Sequence, residues 1–287
     1  MGAAAPAGAL AIAGVQPHKS KGQNFLVQPR VADRIVAAAA IAPGDAVLEI
    51  GPGLGMLTER IAALPVGRIV LVELDERLAA RLAARYADDR RVAIVNRDFL
   101  AIEAHEIGFA APYRVVANLP FNAASAILER LCAMHPRISR MVLMFQREVG
   151  ERIRAAAGTS AYGALSAYTA IYWEIAGHFR VAAGSFHPRP KVDAEVLSFA
   201  PRDPLPFNSP AGEQALLATI RAAFRAPRKT LRNALATALA LDGPALDAAL
   251  ARAAIDPAAR AATLALDDLI RLAHALPQPL TLNHRDA

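Results

Sequence analysis

The chain is 287 residues long, enough for one large domain or a main domain with a smaller companion. It carries 32 basic and 26 acidic residues, and the formal charge of +6 points to an anionic partner without identifying it. Hydrophobic residues make up 54% of the chain, yet no run reads as roughly 18 apolar residues without a break, so no membrane span is expected. The single cysteine, Cys132, excludes an intramolecular disulfide framework and fits a reducing cytoplasm.

The first 18 residues are small and apolar, carry Pro and Gly, and have no basic stretch before the apolar part. They read as a disordered lead-in, not a signal peptide. Strand-like and helix-like patterns then alternate. "AVLEIG" (46–51), "RIVLVEL" (68–74), "VAIVNRD" (92–98), "RVVANLP" (114–120) and "RMVLMFQ" (140–146) are short, nearly continuous apolar runs. Such runs suit strands buried on both faces of a parallel sheet. "MLTERIAAL" (56–64), "ERLAARLAARY" (76–86) and "SAILERLCAM" (125–134) read as the helices between them, the last with Cys132 as a small buried hydrophobe. Two later runs, near 171–181 and 194–200, are expected to close the sheet's edge. The alternation predicts an α/β, Rossmann-like sheet with crossover helices.

The pattern changes after about residue 205. "PRDPLPFNSP" (201–210) has four prolines in ten residues and reads as a linker. Beyond it only helical patterning is visible: "AGEQALLATIRAAF", "RKTLRNALATALA", "PALDAALARAAI" and "LDDLIRLAHAL". Ser209-Pro210 has the form of a helix start, a cap followed by proline at the first helical position. The expected organisation is thus a lead-in (1–18), a catalytic domain (19–205) and a small all-helical domain (206–287).

"LEIGPGLGML" is the first motif with chemistry in it. A buried strand runs into Gly51-Pro52-Gly53-Leu54-Gly55 and then a helix, so the backbone at Gly51 and Gly53 can approach a ligand. A glycine-rich turn alone is unspecific. Its spacing is not that of a dinucleotide fold, whose third glycine would fall on Met56, and no Gly-Lys pair exists to make a phosphate-cradling loop. The pattern E-x-G-x-G-x-G instead resembles the first motif of S-adenosylmethionine-dependent methyltransferases. Later strand ends carry acids that fit such a cofactor: Glu73, placed to accept from both ribose hydroxyls, and Asp98, placed to take the adenine amine. Asp75 reads as the cap of the following helix.

The fourth strand ends in "ANLPFN". A strand-end turn alone accounts for the proline. A methyl-accepting adenine amine accounts for more. Its lone pair is delocalised into the ring. If the Asn118 side-chain oxygen and the Leu119 carbonyl each accept one N–H, the lone pair is freed to meet an electrophilic methyl. Pro120 stiffens the backbone, and Phe121 offers a face for stacking. Positioning is then the main catalytic device.

In sequence order the chain carries "KSKGQNFL" (19–26), "EIGPGLG" (49–55), "VELD" (72–75), "NRDFL" (96–100), "NLPFN" (118–122), "QREVGERI" (146–153), "YGALS" (162–166), "FHPRPKVDAEV" (186–196) and "RKTLRNAL" (228–235). This ordered set resembles the bacterial small-subunit ribosomal RNA adenine dimethyltransferases, the KsgA/RsmA family. The resemblance implies a class I S-adenosyl-L-methionine-dependent methyltransferase sheet with a helical C-terminal domain. It implies cofactor contacts from Asn24, Leu26, Gly51, Glu73, Asp98 and Asn118. It also implies dimethylation of the 6-amino groups of two adjacent adenosines in a hairpin loop near the 3′ end of 16S rRNA, within the 30S subunit or its precursor. The chain would act as a cytoplasmic monomer during ribosome biogenesis, with no membrane partner and no metal. Phe121 stands where the bacterial family usually has Tyr, Ala126 where it has Pro, Lys21 where it has an apolar residue and Ala262 where it has an acid.

"RAAFRAPRKTLRNAL" places Arg221, Arg225, Arg228, Lys229 and Arg232 at helical spacing. They form either a solvated face or a phosphate-binding one. Lys191, in the proline-stiffened loop "HPRPKVDAEV", is a further RNA candidate. Alternatives are a large-subunit adenine methyltransferase of the macrolide-resistance type, a ribosome-assembly factor whose catalysis is secondary, and, less favoured, a small-molecule methyltransferase.

Overall fold

The computed structural model describes residues 23–109, 112–278 and 280. The 1–18 lead-in and the first four residues of "KSKGQNFL" lie outside them. In chain order the elements are β1 (Phe25–Leu26), α1 (Pro29–Ala38), β2 (Ala46–Ile50), α2 (Met56–Ala62), β3 (Arg68–Val72), α3 (Glu76–Arg85), β4 (Val92–Val95), β5 (Tyr113–Asn118), α4 (Ala124–Ala133), β6 (Ile138–Gln146), α5 (Arg147–Ile153), α6 (Ala164–Tyr172), β7 (Trp173–Val181), β8 (Phe186–His187) and β9 (Ala194–Pro201). Then come α7 (Pro210–Phe224), α8 (Leu231–Ala238), α9 (Gly243–Arg252) and α10 (Leu266–Ala275). The chain divides into two compact units, residues 1–150 with 174–201 and residues 151–173 with 202–287.

The first unit is built on a seven-stranded sheet of order β4-β3-β2-β5-β6-β9-β7. β2 pairs in parallel with both β3 and β5, and the parallel run extends to β4 on one side and β6 on the other. β9 pairs antiparallel with β6. The apolar runs behave as two-sided burial requires: Val47, Leu48, Ile69, Leu71, Val115, Val116, Val142 and Leu143 are each 1% exposed or less. β4 departs from that expectation. Its four residues are only half buried because it is the sheet's edge strand. α1 covers the sheet with Ala32, Ile35 and Val36, the spacing of one helical face. Cys132 is buried on α4.

The chain leaves β2 for β3 and β4 on one side and returns to β5 on the other. That reversal opens a crevice at the carboxyl ends of β2 and β5, where open α/β sheets bind ligands. A two-stranded antiparallel strap lies apart from the main sheet. It pairs Phe25 with His187 and Leu26 with Phe186, and Val27 N–H donates to the Ser185 carbonyl at 2.9 Å.

The second unit is helical. Ser209 Oγ accepts from Gly212 N–H at 3.2 Å and Pro210 is the first residue of α7, as the sequence predicts. Residues 151–173 lie inside the 19–205 span of the sequence reading, yet they bond to the C-terminal helices and their approach. Gly158 N–H donates to the Ala262 carbonyl (2.7 Å), Tyr162 Oη to the Leu264 carbonyl (2.9 Å) and Tyr172 Oη to Glu213 Oε1 (2.6 Å). The basic run is not one helical face. α7 stops at Phe224, Pro227 sits in the turn that follows, and α8 starts afresh at Leu231 with Thr230 as its cap. Proline lacks the N–H a continuing helix needs, and threonine at a cap favours a new start. Among the described residues no helix is long and apolar enough to cross a membrane.

Candidate active site

β2 ends at Ile50, and the next five residues turn the chain into α2. Gly51, Gly53 and Gly55 have φ of 65°, 58° and 82°, in the left-handed region. Gly53 shows why no side chain fits: a Cβ there would lie 3.0 Å from the Phe25 ring. Its N–H donates to Glu73 Oε2 at 3.0 Å, while Asp75 N–H donates to Glu73 Oε1 at 2.9 Å. One carboxylate thus ties the glycine loop to the end of β3. Burial pushes the Glu73 pKa up, and the two amide bonds pull it back. A carboxylate offers about four acceptor sites, so capacity remains for a pair of ligand hydroxyls.

Glu49 lies two residues before the loop, on β2, and is 1% exposed. Thr58 Oγ1, on α2, donates to Glu49 Oε2 at 2.7 Å. Burial first, and then the charge of Glu73, push its pKa up to about 8. Asp75 caps α3 through Arg77 N–H at 3.1 Å and also accepts from Gln23 Nε2 at 3.3 Å. Asp98 is exposed past the end of β4 and caps the short turn Phe99–Ala101 through Leu100 N–H at 2.9 Å.

Asn118 ends β5. Its Nδ2 donates to the Asn24 carbonyl at 3.1 Å, which fixes the amide's orientation. Its Oδ1 is buried and has no hydrogen-bond partner among the described residues. A buried acceptor left unmet is costly, and a ligand donor would meet it.

Glu49, Gly51, Gly53, Glu73, Asp98 and Asn118 line one cavity of about 340 Å³, within the range of small-molecule sites. Asn24, Leu26, Gly51, Gly53, Glu73, Asp98 and Asn118, the cofactor candidates of the sequence, all line it, and so do Leu119 and Pro120. Phe121 is not in its wall. That ring packs against the core, edge to face with Phe186 at 6.1 Å between centroids. The basic candidates lie elsewhere. Lys191 is exposed in the loop before β9, and Arg221, Arg225, Arg228 and Lys229 are exposed in the second unit. Arg232 is held by Asp247 through two bonds, of 2.6 and 2.9 Å. Sequence reasoning gave no role to Glu49 or Thr58, and it did not see the strap that carries Asn24 to Asn118. Two signals marked Glu49: it is the acid that opens the E-x-G-x-G-x-G pattern, and it stands inside an otherwise apolar strand.

The strand order, the glycine loop at the switch point and the acids at successive strand ends define a class I methyltransferase. The family model for ribosomal RNA adenine dimethylases matches residues 14–278, and the chain belongs to that family. The ribosomal RNA small subunit methyltransferase A of Geobacter metallireducens is 41% identical over 269 residues, 92% of this chain and 96% of that one. The protein of the same name from Syntrophotalea carbinolica is 42% identical, over 91% and 97% of the two chains. Among solved structures, a dimethyladenosine transferase from Plasmodium falciparum shares the fold with a TM-score of 0.73, at 24% identity over 86% of this chain and 95% of that one. The 23S rRNA methyltransferase ErmE gives a TM-score of 0.66 at 26% identity, over 88% and 99%. The methyl donor of this family is S-adenosylmethionine, and the cavity has the volume and the carboxyl groups to take a molecule of that kind.

Proposed function

We propose that this protein dimethylates the 6-amino groups of two adjacent adenosines in a hairpin loop near the 3′ end of 16S rRNA, in the small ribosomal subunit or its precursor. The curated relatives at 41–42% identity are named for the small subunit, which favours that target over the large-subunit alternative. The observation that carries the reading is the buried, unpartnered Asn118 Oδ1 on the cavity wall.

The bound cofactor supplies a methyl group on a positively charged sulfur, electrophilic and with a neutral thioether as leaving group. Glu73 and Asp98 are assigned to its ribose and adenine, and Gly51 and Gly53 to close backbone approach. Asn24 and Leu26 come over the same cavity on the strap. Asn118 Oδ1 and the Leu119 carbonyl each accept an N–H of the target amine, which turns the nitrogen's lone pair out of conjugation. Pro120 holds that carbonyl in place, and Phe121, braced edge-on by Phe186, is assigned to stacking on the base. No strong base is required, because the N–H becomes acidic once the nitrogen is alkylated. A looped-out base is the least costly to extract from its stack.

RNA grip is assigned to Lys191, Arg221, Arg225, Arg228, Lys229 and Arg232. The last must share its charge with Asp247. We take the protein to act in the cytoplasm as a monomer.

The test is transfer of labelled methyl to immature small subunits and, separately, to large-subunit RNA. Wild-type protein is expected to label the former, and Asn118→Ala to lose about 10²-fold in turnover while still binding cofactor. Label found only in large-subunit RNA would move the assignment to the macrolide-resistance type.

A further inference from the structure

Arg97 is the only basic side chain among the described residues that line the cofactor cavity. The cofactor arrives with a positive sulfur, so a bare guanidinium at its site would repel it. The charge of Arg97 is answered on the protein. Nη1 donates to Glu106 Oε1 at 2.7 Å, and Nη2 donates to the Ala101 carbonyl at 3.0 Å. Glu106 is itself held, since its Oε2 accepts from Glu103 N–H at 2.7 Å.

These two bonds span Asp98, the next residue. Asp98 lies three residues past Val95, the end of β4, and β4 is the sheet's edge, so no outer strand steadies the chain there. The segment is fastened by side chains instead. Before Asp98, Asn96 Nδ2 donates to the Glu73 carbonyl at 2.8 Å. After it, Ala101 N–H donates to the Asp98 carbonyl at 3.0 Å, and the side chain of Arg97 holds the carbonyl of the same Ala101. Farther on, Arg130 on α4 holds the Ile102 carbonyl at 2.7 Å. Asp98 Oδ1 accepts from Leu100 N–H at 2.9 Å, while Oδ2 has no partner among the described residues.

An exposed ion pair alone contributes little. Here the same guanidinium also closes the turn that carries an acceptor, and a planar fork gripping two acceptors fixes geometry in a way a point charge does not. We propose that Arg97 is a positioning residue: by spanning Asp98 it holds that carboxylate where it accepts from the 6-amino group of the cofactor's adenine, and so sets the site's preference for a 6-amino base. The inference rests on the assignment of Asp98 to the adenine made above and adds the group that makes Asp98 selective. A rigidly held acceptor distinguishes a ligand that brings a donor from one that does not, whereas a mobile one can turn to water.

The experiment is equilibrium binding of the full chain to two ligands: S-adenosylhomocysteine, and its counterpart with hydrogen in place of the 6-amino group. Wild-type protein is expected to prefer the first about tenfold. Arg97→Met removes both bonds but keeps the stem. It should weaken S-adenosylhomocysteine about fivefold and leave the counterpart unchanged, so the preference falls to about twofold. Glu106 is outside the cavity wall, and Glu106→Gln takes from Arg97 one anchor of the two. It should cost S-adenosylhomocysteine about twofold, again sparing the counterpart. In an Asp98→Ala background the preference should already be gone, and Arg97→Met should add nothing to that loss. Equal weakening of both ligands by Arg97→Met would overturn the proposal, since general damage to the cavity does not distinguish them. So would an intact preference joined to a lower salt slope for small-subunit rRNA, which would make Arg97 a phosphate contact. Asp98→Ala protein that keeps the full preference would instead overturn the assignment of Asp98 itself, and the proposal with it.

Discussion

Glu49 is a carboxyl group enclosed in the core beside a second carboxyl, Glu73. Its ordinary pKa of 4.5 is pushed up to about 8 in the fold, chiefly by burial. Between those values the folded chain holds a proton that the unfolded chain has released. Stability contributed through this group therefore falls as pH rises from about 4.5 to about 8, then levels off. Glu49→Gln cannot ionise and keeps an acceptor for Thr58. Its melting temperature, without cofactor, is expected to exceed that of wild type near pH 9, with the gap closing towards pH 5, about as wide a window as the shift spans. A gap of equal size at both ends would show that the carboxyl is not the cause. The acid could be read from the sequence. Its enclosure could not, because that depends on α2 and β3 closing over β2.

At the scale of elements, local chemistry set most starts and stops. Ser209-Pro210 marks a helix start by its residue types alone, and Ser209 Oγ does meet Gly212 N–H. Ser209→Ala is expected to cost about 1 kcal/mol, read as a lower urea midpoint with an unchanged slope. A change in slope would mean that the linker, and not the cap, had been disturbed. The same chemistry corrects the basic run: Pro227 and Thr230 were legible signals of a break, but the spacing of the arginines suggested one face. β4 shows the opposite limit. Its residues read as doubly buried, and only its place at the sheet's edge exposes it. The strap is two residues long on each side. Too short to have a period, it leaves no pattern in the sequence, yet it delivers Asn24 and Leu26 to the cavity.

At the scale of the whole molecule, every residue lining the proposed cofactor cavity belongs to the sheet unit. Adding S-adenosylmethionine should therefore slow amide hydrogen exchange at residues 23–26, 49–57, 73–75 and 98–100 and leave 210–275 as it was. Equal protection of the helical unit would contradict that confinement. The alternation of apolar runs and amphipathic stretches announced an α/β sheet, and the ordered motifs announced its cofactor, because both are written in near neighbours along the chain. Periodicity reports which residues are apolar and how often, and a glycine loop needs only its own few residues. Pairing over long separations is another matter. The return of β5 to the far side of β2, the bond from Asn24 to Asn118, the enclosure of Glu49 and the attachment of residues 151–173 to the C-terminal helices each join segments far apart in sequence. Such contacts form only where burial of the whole chain offsets the entropy of bringing those segments together.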